Sequence, residues 1–225
     1  MILLFAPILI ELYLLVPEVR ELSTTIVIML IAFSLCNVFI IYSRISGVKA
    51  MKKCFPIIMP AQEFLLPSNT YIDSITKQRY YDFLTRNLPG FTVLKTDAEM
   101  KPLVSTAVTW LITQTRSEND FPLIYEENIN FGISYNLLGL KTYGITFSLL
   151  VLLINCSIII LNWKFKLILN LSYPTVVASS FIDILFLLLW IFVVTKNLVK
   201  NCGKKYGRAL LSACDSPKLN NITLT

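Results

Sequence analysis

The sequence contains no histidine and few charged residues. Histidine is absent from all 225 residues, which excludes every zinc site, catalytic triad or proton switch that depends on an imidazole. Only 15% of the residues are charged, whereas a soluble domain carries about 25%. The seven glycines are too few for a collagen-like chain, and the mean hydropathy of +0.66 excludes a disordered one. With 55% hydrophobic residues, the composition is that of a membrane protein.

The sequence also lacks the motifs of the common enzyme classes. It has no glycine-rich phosphate loop, no dinucleotide-binding fingerprint and no nucleophile elbow. The five cysteines, at positions 36, 54, 156, 202 and 214, include no C-x-x-C pair, which argues against disulfides and metal clusters. Neighbouring carboxylates, such as Glu126 and Glu127, are explained more simply as solvated surface charge than as catalytic pairs. We therefore predict that the chain is not an enzyme and has no catalytic residue, metal or cofactor.

Four apolar segments are candidates for membrane-spanning helices. Thr25–Tyr42, Thr142–Trp163 and Thr175–Thr195 are long enough, at about 1.5 Å per residue, to cross the hydrocarbon core of a bilayer. Met1–Val16 is shorter and contains a proline and a glutamate, so it can cross, lie at the interface or act as a cleaved signal. A signal is the least favoured because no basic region precedes the apolar run. We predict a mainly α-helical integral membrane protein with about four transmembrane helices in two hairpins.

Basic residues set the predicted orientation of these helices. Nine lysines and arginines follow the second and fourth spans, against three in the other connections, and short basic loops stay on the cytoplasmic side. Both termini are therefore predicted to be cytoplasmic, with a first hairpin (1–42), a cytoplasmic insert (43–141), a second hairpin (142–195) and a basic cytoplasmic tail (196–225). Anionic lipid headgroups or a partner are the favoured contacts of the basic flanks, and nucleic acid is the less favoured one. The candidate contact residues are Arg44, Lys49, Lys52, Lys53, Lys200, Lys204, Lys205 and Arg208.

The insert is predicted to be small and mostly helical. A helix capped by Asp73 or Ser74 ends at a proline–glycine pair, and a second helix is capped by Asp97. Phe91–Leu94 between them is a candidate short strand. Residues 124–141 predict an amphipathic helix that leads into the third span, because apolar residues recur every three or four positions: Ile129, Ile133, Leu137 and Leu140.

Polar side chains occur inside every predicted span, although a carboxylate at the bilayer centre costs about 2.5–3.5 kcal/mol. In the favoured interpretation they pair helices through hydrogen bonds worth about 0.6 kcal/mol each. In the second they line a cation-favouring path that opens when several copies assemble, and a substrate site is a weaker third interpretation. The residues concerned are Glu11, Asn37, Ser148, Asn155, Asn162, Ser179 and Asp183.

The segment Phe121–Gly144, FPLIYEENINFGISYNLLGLKTYG, resembles a stretch of small bacterial inner-membrane proteins. In these, a Glu-Asn-Ile-Asn-aromatic-Gly run leads into Asn-Leu-x-Gly-Leu-Lys and then a transmembrane helix. Basic residues follow that glycine in the pattern, whereas Ile-Ser-Tyr follows Gly132 in this chain. The architecture resembles that of transmembrane effectors of antiphage systems, of the retron or nucleotide-signalling type.

This resemblance implies an inner-membrane effector that oligomerises and permeabilises or depolarises the membrane, as in abortive infection. Its trigger would be a cytoplasmic sensor, such as a reverse transcriptase with its DNA, and its other partners would be membrane lipids and further subunits. Two alternatives stay open. One is a non-conducting scaffold or accessory subunit of a larger complex, and the weaker one is a membrane enzyme or small transporter that uses Asp183 or Glu11.

Overall fold

A computed structural model of the chain is helical and describes residues 2–16, 19, 22–165 and 173–222. The prediction of a mainly α-helical protein is confirmed. No strand occurs among the described residues, so the predicted strand at Phe91–Leu94 is wrong: this segment is irregular, and Phe91 is buried in an apolar core. The helices are α1 (Ile2–Leu15), α2 (Leu22–Cys54), α3 (Pro60–Phe64), α4 (Ser74–Asn87), α5 (Asp97–Gln114), α6 (Pro122–Phe165), α7 (Tyr173–Leu188), α8 (Lys196–Ser212) and α9 (Pro217–Ile222), with a π-helical turn at Leu189–Val193 and a 3-10 turn at Ala213–Asp215.

Two of the described helices are long and apolar enough to cross a bilayer, not the four that were predicted. They are Pro122–Lys164 and Pro174–Val193, which contain most of the third and fourth predicted spans. The first predicted span forms α1, whose 14 residues reach only about 21 Å. The second predicted span lies within α2, where the side chains at 22–32 and 34–36 are outside the described residues.

The chain divides into two compact units. Unit 1 comprises Met1–Ala50 and Tyr135–Lys196, and it contains both candidate spans except for the first residues of α6. Unit 2 comprises Met51–Ser134 and Asn197–Thr225. Most of the predicted insert and of the predicted tail therefore belong to one unit, although they are far apart in the sequence.

The helix starts in unit 2 follow from local capping. Asp73 precedes α4, and its carboxylate accepts a hydrogen bond of 2.8 Å from the backbone N–H of Thr76, as the sequence predicts. The cap of α5 is Thr96 rather than Asp97: Thr96 has extended backbone angles, and its hydroxyl oxygen accepts from the N–H of Glu99. The side chain of Asp97 is therefore free to bind another segment.

The core of unit 2 joins α3, α4, α5 and α8. Two polar side chains enter it with their partners: the ammonium of Lys77 donates to the carbonyls of Leu66 and Asn69, and the hydroxyl of Tyr81 donates to Leu65. Burial raises the pKa of Tyr81 to about 12 and lowers that of Lys77 below its usual value. The largest completely buried apolar side chains of this core are Phe64, Leu65, Leu84, Met100, Leu111, Leu210, Leu211 and Leu219.

The predicted apolar stripe of α6 is partly wrong. Ile129 and Ile133 are 43% and 53% exposed, whereas Phe131, which lies off the stripe, is 4% exposed. The ring of Phe131 packs against the rings of Phe55 and Tyr206, each with centroids 6.1 Å away. The buried side of this part of α6 is therefore the one with the aromatic contacts of Phe131. The regularly spaced isoleucines lie on an exposed side.

Unit 2 is expected to lose stability in acid, because hydrogen bonds hold three of its carboxylates ionised. Hydrogen bonds with Thr76 lower the pKa of Asp73 below the ordinary value of 3.8, and hydrogen bonds with Ser68 do the same for Asp97. Hydrogen bonds with Ser117 and then Lys218 lower the pKa of Asp120 in the same way. A lowered folded-state pKa means that the stabilisation is complete above the unfolded-state value. It is lost as the pH falls through the folded-state values.

We therefore expect thermal unfolding of the full chain in detergent to shift to lower temperature below about pH 4. The variant that combines Asp73→Asn, Asp97→Asn and Asp120→Asn should show a flatter pH dependence. The control changes Glu118 and Glu126 to Gln, because no hydrogen bond or ion pair is described for these exposed side chains. Equal slopes for the triple variant and the wild type would contradict the assignment.

In unit 1, two glycines let α2 and α6 approach backbone to backbone. A Cβ atom on Gly139 would lie 2.5 Å from the backbone nitrogen of Gly47, and the hydroxyl of Ser46 donates to the carbonyl of Gly139 at 2.7 Å. A little further along α6, a Cβ atom on Gly144 would lie 2.2 Å from the indole ring of Trp190, which is completely buried. Small residues at helix contacts are typical of membrane bundles, where close packing replaces the hydrophobic effect.

Lys141 of α6 holds the end of the helix that contains the fourth predicted span. Its ammonium donates to the carbonyls of Ile191 and Val194, at 2.9 and 2.8 Å. These carbonyls lie at the end of the π-helical turn, where helix carbonyls lack partners in their own helix. A cation at a helix C-terminus also interacts favourably with the helix dipole. Lys141 is thus a structural contact within unit 1.

Candidate functional site: a buried acidic network

Asn155 is the centre of a polar network buried among the apolar helices of unit 1. Its side-chain nitrogen donates to a carboxylate oxygen of Glu11 at 2.7 Å, to one of Asp183 at 2.9 Å, and to the hydroxyl oxygen of Ser179 at 3.3 Å. The exposed fractions of these four side chains lie between 0% and 9%. The structure therefore brings together four of the seven predicted intramembrane residues.

Three helices supply this network. Glu11 comes from α1, Asn155 from α6, and Ser179 and Asp183 from α7. The two residues of α7 are four positions apart, so they lie on the same side of the helix. The hydroxyl of Ser179 donates to the carbonyl of Val176 in its own helix, which leaves its oxygen free to accept from Asn155. One amide thus links α1, α6 and α7.

The donors in this network are fewer than the acceptors. An asparagine amide has two N–H groups, whereas three oxygens converge on it. A second oxygen of each carboxyl group, Oε2 of Glu11 and Oδ1 of Asp183, is buried without a hydrogen bond among the described residues. Neither ion pair formed by the described residues includes these acids. No described cation balances these two acids, so the network holds more acceptors than donors and carries no compensating positive charge among the described residues.

An apolar pocket of about 370 Å³ lies next to the network in unit 1. Its walls come from α1 and α6, and Glu11 and Asn155 are its polar residues. The pocket thus borders the network on one side, at Glu11 and Asn155. The lining residues are Ile8, Glu11, Leu12, Val16, Phe147, Leu150, Val151, Ile154 and Asn155.

The other predicted intramembrane residues lie outside the network. The hydroxyl of Ser148 is buried, and no hydrogen bond to it is found among the described residues. Asn162, seven residues after Asn155, is half-buried. Asn37 is exposed, and its amide donates to the carbonyl of Phe33 in its own helix, so it does not join α2 to a neighbour. The predicted basic contact residues are all exposed: Arg44, Lys49, Lys52, Lys53, Lys200, Lys204, Lys205 and Arg208.

Sequence reasoning missed three of the polar contacts described in unit 1. Lys141 was not a candidate, although a lysine at the start of an apolar run needs acceptors and could have been found on that ground. The hydroxyl pair of Tyr42 and Tyr143, 2.7 Å apart, and the contact from Ser46 to Gly139 have no signal in the sequence. They depend on how α2 and α6 cross.

Other reactive groups form no second site within the described residues. No group of three or more Cys, Asp and Glu side chains suited to a metal ion occurs there. Cys54, Cys156, Cys202 and Cys214 are free thiols, and the side chain of Cys36 lies outside the described residues. Burial raises the pKa of Cys214 to about 12, so its thiol stays protonated at neutral pH.

Comparison of the chain with protein-family models, with curated proteins and with solved structures finds no match. The function therefore has to be inferred from the residues of the chain itself. The acidic network of unit 1 and the charged surface of unit 2 are the features that such an inference can use.

Proposed function

We propose that this chain is an inner-membrane effector that oligomerises and permeabilises or depolarises the membrane when a cytoplasmic partner triggers it. The observation that carries the proposal is the pair of buried acids, Glu11 and Asp183, which converge on Asn155 and have no cationic partner among the described residues. The role in antiphage defence, and a sensor such as a reverse transcriptase with its DNA as the trigger, are supported by the sequence resemblance of residues 121–144.

The cost of the acids favours a role beyond helix pairing. Neutral asparagine and serine side chains pair membrane helices for about 0.6 kcal/mol per hydrogen bond, whereas each intramembrane carboxylate costs about 2.5–3.5 kcal/mol on insertion scales. A network that served packing alone would be cheaper with amides at positions 11 and 183. Intramembrane acids usually mark ion or proton pathways, and a cation that exchanges between two carboxyl groups is a step of such a pathway.

Assembly of several copies is part of the proposal, because the described helices of one unit 1 leave little room for a lumen. Large apolar side chains are exposed on the candidate spans of α6 and α7, including Leu149, Leu153, Phe181 and Leu185. In a bilayer these surfaces face lipid or a second copy. An ion path between copies would pass the network if assembly moves α1 away from α6, since the pocket of unit 1 lies between these helices.

The alternative is a non-conducting scaffold or accessory subunit. One observation favours it: all three hydrogen bonds of Asn155 are made within one chain, so the network is already used in holding α1, α6 and α7 together. A scaffold would co-purify with a partner and leave the membrane potential unchanged.

The test is the membrane potential and dye entry of bacteria that express the chain with its native genomic neighbours, before and after phage challenge. We expect wild-type cells to depolarise after challenge, and Asp183→Asn and Glu11→Gln cells to keep their potential at matched expression. Asn37→Leu is the control, because it removes a polar side chain that is exposed and bonded within its own helix.

Two results would overturn the proposal. If wild-type cells keep their potential through the challenge, the permeabilising function fails and the scaffold takes its place. If Asp183→Asn and Glu11→Gln cells depolarise like the wild type, the acidic network has no part in permeation.

A further inference from the structure

The outer side of α8 carries only positive charge. Lys196, Lys200, Lys204 and Arg208 follow one another at intervals of four residues, Lys205 lies beside them, and all five are exposed. Residues four apart lie on one side of a helix. α8 contains no Asp or Glu, and neither ion pair among the described residues includes one of the five. These five side chains are referred to below as the cationic face of α8.

Packing on the opposite side of α8 fixes the direction of this face. Val199, Leu210 and Leu211 are completely buried, and Leu210 and Leu211 belong to the core of unit 2. Gly207 allows α8 to approach α3 closely, since a Cβ atom there would lie 2.8 Å from the backbone nitrogen of Ala61. The helix therefore cannot rotate to pair its cations with the carboxylates of its own unit without exposing the core.

A groove of about 320 Å³ lies beside the cationic face in unit 2. Lys205 and Arg208 line it together with the apolar side chains of Leu123 and Ala209. Ser212 and Glu127 also line the groove, and Glu127 is the acid among its lining residues. Two cations next to apolar surface suit a phosphate group that is attached to a hydrocarbon chain, because each part finds complementary surface.

We propose that the cationic face of α8 and its groove bind the phosphate groups of anionic phospholipids. α8 begins three residues after the candidate span Pro174–Val193, so Lys196 lies within about 10 Å of the end of that span. This short connection favours lipid over nucleic acid, which is the other large source of phosphate. Basic side chains next to an anionic bilayer gain about fivefold in binding each, and salt screens this gain.

The inference does not depend on whether unit 1 conducts. It requires only that the chain enters a membrane, and its readout is lipid binding rather than depolarisation. If the chain binds anionic lipid but does not depolarise cells, the lipid-binding proposal stands and the permeabilising function fails.

The experiment measures which lipids stay bound to the purified full chain, in neutral detergent, by native mass spectrometry. Phosphatidylglycerol and phosphatidylcholine are offered at equal concentration. We expect the wild type to retain phosphatidylglycerol preferentially, and the preference to weaken as salt is raised. The variant that changes Lys200, Lys204, Lys205 and Arg208 to Gln should lose it, at about fivefold per removed charge.

The matched control removes the same number of charges from other exposed positions of unit 2, by changing Arg86, Lys95, Lys101 and Arg116 to Gln. It should keep the preference for phosphatidylglycerol. An equal loss in both variants, or no loss in the α8 variant, would overturn the proposal. So would displacement of the lipid by inorganic phosphate at similar concentration, or a preference of the wild type for duplex DNA over phosphatidylglycerol.

Glu127→Gln provides a second test that does not depend on removing cations. It takes the negative charge out of the groove and leaves a side chain of the same size, so we expect tighter retention of phosphatidylglycerol by a few-fold. Weaker or unchanged retention in this variant would place the lipid outside the groove and count against the proposal.

Discussion

Replacing Asn155 by leucine is expected to lower the free energy of unfolding of unit 1 by about 3 kcal/mol. The amide of Asn155 supplies all three hydrogen bonds that join Glu11, Ser179 and Asp183. Without it, two buried carboxyl groups lose their described donor, and buried polar groups left without partners are more costly than the bonds themselves. The measurement is unfolding of the purified full chain in mixed detergent micelles by titration with sodium dodecyl sulfate.

Removing both acids together with Asn155 tests whether the unpaired carboxyl groups cause this loss of stability. The variant that combines Asn155→Leu with Glu11→Leu and Asp183→Leu should recover most of the lost stability, because replacing every partner by apolar groups removes the orphaned acids. Asn37→Leu, which changes an exposed asparagine, should have little effect. A triple variant less stable than Asn155→Leu would contradict the explanation, because it would mean that packing volume, rather than unpaired acids, causes the loss.

Gly139→Ala is expected to separate α2 from α6 and to destabilise unit 1 by about 3 kcal/mol, at the upper end of the range for overpacking. The added methyl group would lie 2.5 Å from the backbone nitrogen of Gly47 and 2.6 Å from the carbonyl carbon of Ser46. These are backbone atoms, so no side chain can rotate away to make room. Separation of the helices would also break the hydrogen bond from Ser46 to Gly139.

The same detergent titration measures this effect, and disulfide cross-linking between cysteines introduced on α2 and α6 reports the separation directly. The control is Ser157→Thr, which adds one methyl group to an exposed position of α6 and keeps the hydroxyl that donates to Leu153. Alanine is the better helix former by about 1 kcal/mol, so a stabilised Gly139→Ala protein would mean that the helices do not touch at this point.

Local sequence signals predicted much of the helical content. Of the two predicted caps of α4, Asp73 or Ser74, the structure has Asp73. A capping side chain bonds to the backbone about three residues later, so such a signal is complete within a few residues. The cap of α5 was misplaced by one residue, since Thr96 and Asp97 are both good caps and the choice depends on Ser68, which binds Asp97. A contact between residues 29 positions apart, such as Ser68 and Asp97, leaves no such local signal in the sequence.

The members of the acidic network were recognisable, but their partners were not. The cost of polar groups in apolar helices singles out Glu11, Asn155 and Asp183, and the four-residue spacing places Ser179 beside Asp183. That Asn155 binds Glu11, 144 residues away, follows only from the packing of α1 against α6. By the same cost argument Asn37 belonged to the network, yet its amide is satisfied by a carbonyl of its own helix.

The first predicted span is not one of the two candidate spans among the described residues, and the reason is physical. Hydropathy recognises an apolar run but cannot tell whether its helix is used to cross a bilayer or to cover a polar group. α1 has 14 residues and carries Glu11 to the side chain of Asn155. Length, rather than composition, separates α1 from the candidate spans of α6 and α7, because 14 residues are too few to cross the hydrocarbon core.

The tight contact between Gly144 and Trp190 gives the protein an optical consequence. Trp190 is completely buried in unit 1, whereas Trp163 is 81% exposed and Trp110 belongs to the surroundings of the unit 2 core. Brominated acyl chains would quench the fluorescence of Trp163, whereas the indole of Trp190 is shielded by its neighbours. Quenching of the Trp190 fluorescence by brominated lipid would thus report, in a lipid bilayer, that the contact between Gly144 and Trp190 has opened.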